Sequence, residues 1–502
     1  MIGPAWAPAL VPAAVLLPLA AAVLVVVVPS PARRIVGLVA AALTAAAGIA
    51  VAALVIAHGP LVVSLGGHRP PLGISLRADG LSAVFLLLSA VVGGVVSVHA
   101  AVHPPSTGVA GSRDWFWPAW LLAWSGLAAV FVSGDLFNLY VALEIVGLAA
   151  VLLVAFGGPD AWRAAFRYLI VAVAGSLLFL LALTLVYSAT GTLDLTLAGS
   201  RLAGSDAGPV RTAVLALTMA GMALKSALFP LHGWLPGAHG DAPAAVSPIL
   251  SGLVVKASFV VAIRVWSEVT GPVPEVAAVI GVAAAGSILW AGLVALRATG
   301  FKQLVAYSTV SQVGYLFLFF PLAAAAAREG MPATAALGAV VTLAVAHGLA
   351  KSALFLAAGM FKEHVGNGRI DSLAGRGAEL PLVTMAIGIC AVGLAGLPVT
   401  LGFAGKWQLL SAAVGAQAWW VVAVVAAGTL VAAGYLLRPL QSLLTGASED
   451  GIDSAPDRPH SPLPRVVTVL PLLLALVTVG ATFAAVPLAE LAIVGQTPGG
   501  PR

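Results

Sequence analysis

The sequence predicts an all-α polytopic membrane protein with about fourteen transmembrane helices, at about 20 apolar residues per crossing, two of them broken. Three observations carry that prediction. Hydrophobic residues make up 61% of the 502 and charged residues only 9%, with a mean hydropathy of +1.06, where soluble domains are roughly half apolar and a quarter charged. Apolar runs long enough to cross a bilayer recur along the whole chain between short polar connections. Prolines and glycines interrupt two of these runs.

Dividing the chain at its polar punctuation places the spans near 9–28, 35–57, 80–101, 116–133, 136–156, 164–189, 209–231, 244–266, 275–296, 302–325, 334–361, 381–411, 416–444 and 464–494. The first run lacks a basic leader and a small-residue cleavage pattern, so it reads as a retained span. No soluble domain is expected. The longest polar connections are 362–380 and 446–462, the latter a solvated loop with Glu449, Asp450, Asp453 and Asp457. With the N-terminus outside, the inward loops hold Arg33, Arg34, Arg113, Arg163, Arg167, Arg297, Lys302, Lys362, Arg369, Arg376, Arg438, Arg458 and Arg465. The other side holds about half as many basic residues, which orients both termini outward in a cell membrane.

The seventh span is interrupted in "SALFPLHGWLPGAHGDAPAAVSPILSG" by Pro230, Pro236, Pro243 and Pro248, and the twelfth in "GLAGLPVTLGFAGKW" by Pro398 and several glycines. Proline removes a backbone donor and clashes with the preceding turn. In lipid the freed carbonyls must be buried in protein or face water. Paired interrupted segments point to an inverted repeat with its site near the midplane. Spans 4–8 and 9–13 are therefore expected to form two inverted five-helix repeats. The domain plan is 1–115 for the first three spans, 116–268 and 269–444 for the repeats, and 445–502 for a loop and the last span.

The pentapeptide KSALF occurs at Lys225–Phe229 and again at Lys351–Phe355, each time inside an apolar run. With loop residues set aside, the ionisable groups within spans are Glu144, Lys225, Lys256, Lys351 and Lys406, with His347 one helical turn before Lys351. Each costs about 2.5–3.5 kcal/mol at the bilayer centre on insertion scales. They must pair, line a hydrated path or snorkel to an interface. One acid cannot neutralise four lysines. Desolvation weakens the proton affinity of any buried ammonium and a nearby carboxylate strengthens it, so such a row can pass protons from group to group. His347 and Lys351, four apart, share a helix face.

Other classes fit less well. A net charge of +5 is scattered, with no basic run for nucleic acid. The single Cys390 excludes a disulfide framework or a cysteine-based metal cluster. The glycines of "GGPDAWRAAF" and "GVAAAGSILW" follow no strand and form no phosphate-binding loop. A haem or quinone subunit would draw on His58, His99 and His347, but His58 and His99 fall at span ends, away from the matched depth a bis-histidine site needs. A scaffold whose charges only join helices, and a solitary solute transporter, complete the alternatives. No metal or cofactor site is expected.

Five stretches, "SGDLFNLYVALEIVGLAAVLLVAF" (Ser133–Phe156), "MALKSALFPLHGWLPGAHGDAPAAVSPILSGLVVKASFVVAIRV" (Met222–Val265), "FKQLVAYSTVSQVGYLFLFF" (Phe301–Phe320), "AHGLAKSALFLAAGMF" (Ala346–Phe361) and "AGLPVTLGFAGKWQLL" (Ala395–Leu410), resemble the antiporter-like subunits of respiratory complex I and of Mrp-type multisubunit sodium/proton antiporters. The D-type component of the Mrp antiporters is the nearest in pattern. The resemblance implies pairing of Glu144 with Lys225, a central relay at Lys256, ionisable eleventh-span positions at His347 and Lys351, and a path ending at Lys406. Lysine at 406 argues against the complex I subunit that has glutamate there. The resemblance further implies other membrane subunits as partners in an antiporter or complex I-like assembly, protons as the translocated ion, and sodium left open.

Overall fold

The computed structural model describes residues 7–105, 112–204, 208–446 and 463–496. The acidic loop with Glu449, Asp450, Asp453 and Asp457, and the inward placement of Arg458, lie outside the described residues, as does the side chain of Arg113. Among the described residues, twelve helices are long and apolar enough to cross a membrane: Ala7–Val27, Ser30–His58, Gly80–Val102, Trp115–Val132, Leu136–Ala155, Pro159–Thr190, Val246–Thr270, Pro274–Arg297, Phe301–Arg328, Thr334–Val365, Trp419–Leu444 and Arg465–Ile493. The protein is a multi-pass membrane protein. The seventh and twelfth expected spans are missing from that series, and each is split: Gly208–Ser226 with Leu235–Asp241, and Pro381–Ala395 with Leu401–Gly415. Counting each split pair as one, the spans keep the order expected from the sequence.

Local chemistry starts and stops these helices. Asp79 accepts from Ser82 N at 3.0 Å to cap the third span, Asp135 from Asn138 N at 2.8 Å to cap the fifth, and Thr400 from Phe403 N at 3.2 Å to cap the second half of the twelfth. Each cap satisfies an amide that the first helical turn leaves without a partner. Pro159, Pro274 and Pro381 open helices at positions that need no donor. One element was not expected: Leu61–Ser64 pairs antiparallel with Ser75–Ala78 in a two-stranded hairpin before the third span. Its four-residue strands are too short for a period-2 pattern to stand out in an apolar chain.

The breaks differ in detail. In the seventh span the chain leaves the helix at Ala227, with φ 57°, and runs through Pro230 to Trp234. Trp234 Nε1 donates to the freed Leu224 carbonyl at 2.9 Å, and Phe229 N donates to Ser287 Oγ at 2.8 Å. Pro236 lies in the first turn of the short helix and Pro248 in the first turn of the eighth span. In the twelfth, Gly396 (φ 80°) and Val399 (φ 64°) flank Pro398. The eighth and eleventh spans are buried almost throughout, whereas the first, thirteenth and fourteenth expose most of their surface. The bundle therefore keeps its centre out of contact with lipid.

The sixth and seventh spans approach through two glycines. A Cβ on Gly221 would lie 2.5 Å from the Gly175 carbonyl oxygen, and one on Gly175 would lie 2.8 Å from that of Gly221 and 3.1 Å from Lys225 Cγ. Small residues allow this backbone contact in membranes. Gly221→Val is expected to push the spans apart and lower stability by about 1–3 kcal/mol, read as a lower Tm of the purified protein. Gly94→Ala, where nothing lies within 4 Å of the added methyl, should leave Tm unchanged or raise it slightly.

Candidate functional site

The ionisable side chains expected from the sequence run in a row through the bundle, and Lys225, Lys256 and Lys406 each lie at a break or a wide turn of a span. Glu144, on the fifth span, accepts from Ser176 Oγ and sits 3.5 Å from Lys225 Nζ. Its side chain is 26% exposed, whereas that of Lys225 is 7% exposed. Lys225 occupies the last turn before the seventh-span break. A cavity of about 10 Å³, close to the room one water requires, separates Lys225 from Val254 and Ser258 on the eighth span.

Lys256 lies on the same span, between the two residues that line that cavity but not itself in its lining. The eighth span opens into a wide π-type turn over Leu250–Val254, a feature that frees carbonyls and recurs at functional sites. Lys256 Nζ donates to the Ser251 carbonyl of this turn and lies 2.5 Å from His347 Nδ1. His347 Nε2 has no protein partner. One turn on, Lys351 Nζ donates to Ser308 Oγ and, at 3.1 Å, to the Val305 carbonyl.

At the far end, Lys406 Nζ donates to the Ala395 and Leu394 carbonyls at 2.9 and 3.3 Å. These carbonyls close the first half of the broken twelfth span, where the helix dipole favours a cation. The ammonium also lies 5.0 Å from the centre of the Tyr315 ring, within cation–π range. Only Gly at 396 leaves room: a Cβ there would meet Lys406 Cδ at 2.7 Å.

Three groups between Lys351 and Lys406 had no role assigned from the sequence. Ser308, Gln312 and Tyr315 follow one another at helical spacing on the tenth span; Gln312 Nε2 reaches the Leu394 carbonyl at 3.5 Å, the same oxygen that Lys406 binds. The signal was present in "STVSQVGY", where hydroxyls and an amide recur three and four apart in an apolar span. Lys302, read from the sequence as an inward loop residue, is instead buried in the first turn of the tenth span, with Nζ donating to the Ala242 carbonyl at 2.9 Å. Glu144 also has fellow acids: the eighth span runs to Thr270 and buries Arg264 and Glu268 in a cluster with Asp79 and Arg77. Arg264 binds Asp79 through both Nη atoms and Glu268 at 2.9 Å, while Arg77 reaches Glu268 at 2.5 Å.

At the end of the bundle that carries Arg163 and Arg167, a polar cavity of about 690 Å³ opens between the sixth span and the short helix Leu235–Asp241, lined by Asp160, Asp241, Gln303 and Tyr307 among others. The clefts of about 570 and 790 Å³ near the twelfth span are apolar and include none of the row of charges.

The model of the family "NADH:quinone oxidoreductase/Mrp antiporter, TM" matches residues 133–431, which hold the whole row from Glu144 to Lys406. The chain belongs to this family. It is 34% identical over 400 residues to the N subunit of the NADH-quinone oxidoreductase of Desulforudis audaxviator, covering 79% of this chain and 77% of that one. It is 28% identical over 350 residues to the D subunit of the Na(+)/H(+) antiporter of Alkalihalophilus pseudofirmus, 69% of each. A chain of the Mrp complex from Dietzia superposes with a TM-score of 0.86 at 25% identity, over 97% of this chain and 96% of that one. For a family member with this geometry, Lys406→Leu should leave the Ala395 carbonyl unpaired and the Leu394 carbonyl to Gln312 alone, at about 1–3 kcal/mol. Lys406→Gln, which keeps a donor, should recover most of the lost Tm.

Proposed function

We propose that the chain is the proton-translocating, D-type member of a multisubunit sodium/proton antiporter, working among other membrane subunits in the cell membrane with both termini outside. It moves ions and is not an enzyme by itself. The observation that supports this most is the row of exchangeable groups through the bundle, Glu144, Lys225, Lys256, His347, Lys351 and Lys406, with Glu144 3.5 Å from Lys225, a water-sized cavity beside Lys225, Lys256 2.5 Å from His347, and the tenth-span hydroxyl and amide between Lys351 and Lys406. In this reading spans four to eight and nine to thirteen are the two inverted repeats, and the Lys256–His347 contact joins one to the other.

The mechanism follows from the imbalance of charge. While Glu144 stays beside Lys225, its carboxylate favours the ammonium form of that lysine. Moving the carboxylate away lowers the affinity of Lys225 for its proton, which passes by way of the water-sized cavity beside it and the eighth span toward Lys256. Lys256 has no acid partner, so it hands the proton to His347. The imidazole accepts at one nitrogen and donates from the other. Two arrangements of the first pair thus drive the remainder of the row.

A second reading, a proton-pumping membrane subunit of a complex I-like oxidoreductase, is favoured by the 34% identity to an N subunit of that class. The neighbouring genes discriminate: further antiporter subunits favour the first, quinone-oxidoreductase or hydrogenase subunits the second.

Both readings share the relay, and it is testable at its centre. Lys256→Met keeps length and apolar packing, and Lys256→Arg keeps charge but releases no proton at accessible pH. Both are expected to assemble and to lose cation-dependent proton movement in everted vesicles. Parental rates in the arginine variant would show that the site needs charge and not proton exchange. Glu144→Gln should insert and assemble normally while losing at least about tenfold in rate, below the usual effect of removing a proton-transfer group.

A further inference from the structure

Two buried histidines lie outside the row just described, and both ring nitrogens of each lack a protein partner: His99 and His239. A buried imidazole with no partner calls for explanation, because nearly all buried polar groups are hydrogen-bonded to protein or water. His99 belongs to the third span, beyond the residues that the family model matches. One turn further on, His103 meets it edge-on with ring centroids 5.8 Å apart. His103 Nε2 lies 2.9 Å from Glu363 Oε2 on the eleventh span, with side chains 29% and 53% exposed. Both spans end here on the side of the bundle that carries the basic loops.

The eleventh span leads inward from this pair. Glu363, Gly359, Phe355, Lys351 and His347 are spaced four apart, so each step is about 6 Å along the helix. Each position meets a titratable group or is one. The Cβ that Gly359 lacks would lie 3.9 Å from Lys302 Cε. His239 stacks on Phe355 with centroids 4.3 Å apart. Lys351 and His347 belong to the relay.

We propose that His103, Glu363 and His99 form a proton entry site at the inner ends of the third and eleventh spans, feeding a ladder through Lys302 and His239 to Lys351 and His347. This rests on the relay reading above and adds its source. Glu363 holds the imidazolium of His103 by a hydrogen bond, which raises the affinity of His103 for its proton above that of a free histidine. The proton then passes to one nitrogen of neutral His99 and leaves from the other. His99 returns to the neutral form with its tautomer exchanged, and a ring flip resets it. Between rungs, water carries the proton, as the unpaired nitrogens of His99 and His239 require. No bond other than N–H and O–H changes.

The test uses everted vesicles carrying the assembled complex, with the inner face in the medium. His99→Ala is expected to reduce proton uptake about tenfold to a hundredfold, at or below the usual effect of losing a proton-transfer group, and imidazole added to the medium should restore part of it. Imidazole should not restore Lys256→Met. Glu363→Gln should reduce uptake in the same sense, and Glu363→Asp should recover it. If His99→Ala fails to assemble, the more exposed His103→Gln carries the test. Parental rates in assembled His99→Ala or His103→Gln complexes overturn the entry site while Lys256→Met remains inactive. Loss of uptake in Asp241→Asn alone would place entry at the polar cavity of the sixth span and overturn it equally. An active Lys256→Met would instead sink the relay itself.

Discussion

The cost of keeping ammonium groups in a bundle with too few carboxylates organises this protein. Lys225 has Glu144, but Lys256, Lys302, Lys351 and Lys406 are met by backbone oxygens: Ser251 in a wide turn, Ala242 beyond a short helix, Val305, and the Leu394 and Ala395 carbonyls at a break. A regular helix consumes its own carbonyls and has few to spare. Most of the departures from regularity near the charges therefore act as local solvation, in place of water that lipid does not supply. They neutralise nothing. A buried ion pair at each lysine would hold it charged, and backbone oxygens do so less firmly.

The opposite end of the eighth span follows another rule. Arg77, Asp79, Arg264 and Glu268 balance two positive groups with two negative ones and share several hydrogen bonds, with Gln496 Nε2 adding a contact to Asp79 at 3.3 Å. Arginine releases no proton at accessible pH, and its forked geometry holds carboxylates in place. This cluster ties the hairpin, the third span and the C-terminal segment to the eighth. One helix thus carries a buried lysine without a carboxylate partner at its middle and a paired, neutral cluster at its end. Breaking such a pair is costly because it strands a buried charge.

Burial without lipid contact is what lets both arrangements exist. The eighth and eleventh spans are enclosed along nearly their whole length, so their polar groups face other helices. Glu144, on the fifth span, is instead partly exposed beside Val141, Leu148 and Leu152 on that span's outer surface, and Glu363 is exposed at the end of the eleventh.

Composition alone determined that the chain crosses the membrane many times, because only apolar helices of sufficient length satisfy a bilayer. Proline and glycine placed the two breaks for the same reason. The rarity of charge inside apolar runs singled out Glu144, Lys225, Lys256, His347, Lys351 and Lys406, since each costs too much to be incidental. Tertiary structure decided which of these meet. It brought Lys256 onto His347 across 91 positions, set Lys406 against helix-end carbonyls, drew Lys302 inside and assembled the cluster around Arg264. None of that is legible in the sequence, because a backbone-oxygen partner such as those of Lys302 and Lys406 has no side-chain identity to read, and the side-chain partners of Lys256 and Arg264 lie far away along the chain. A charge near the end of a span also looks the same in sequence whether it faces water or a folded neighbour.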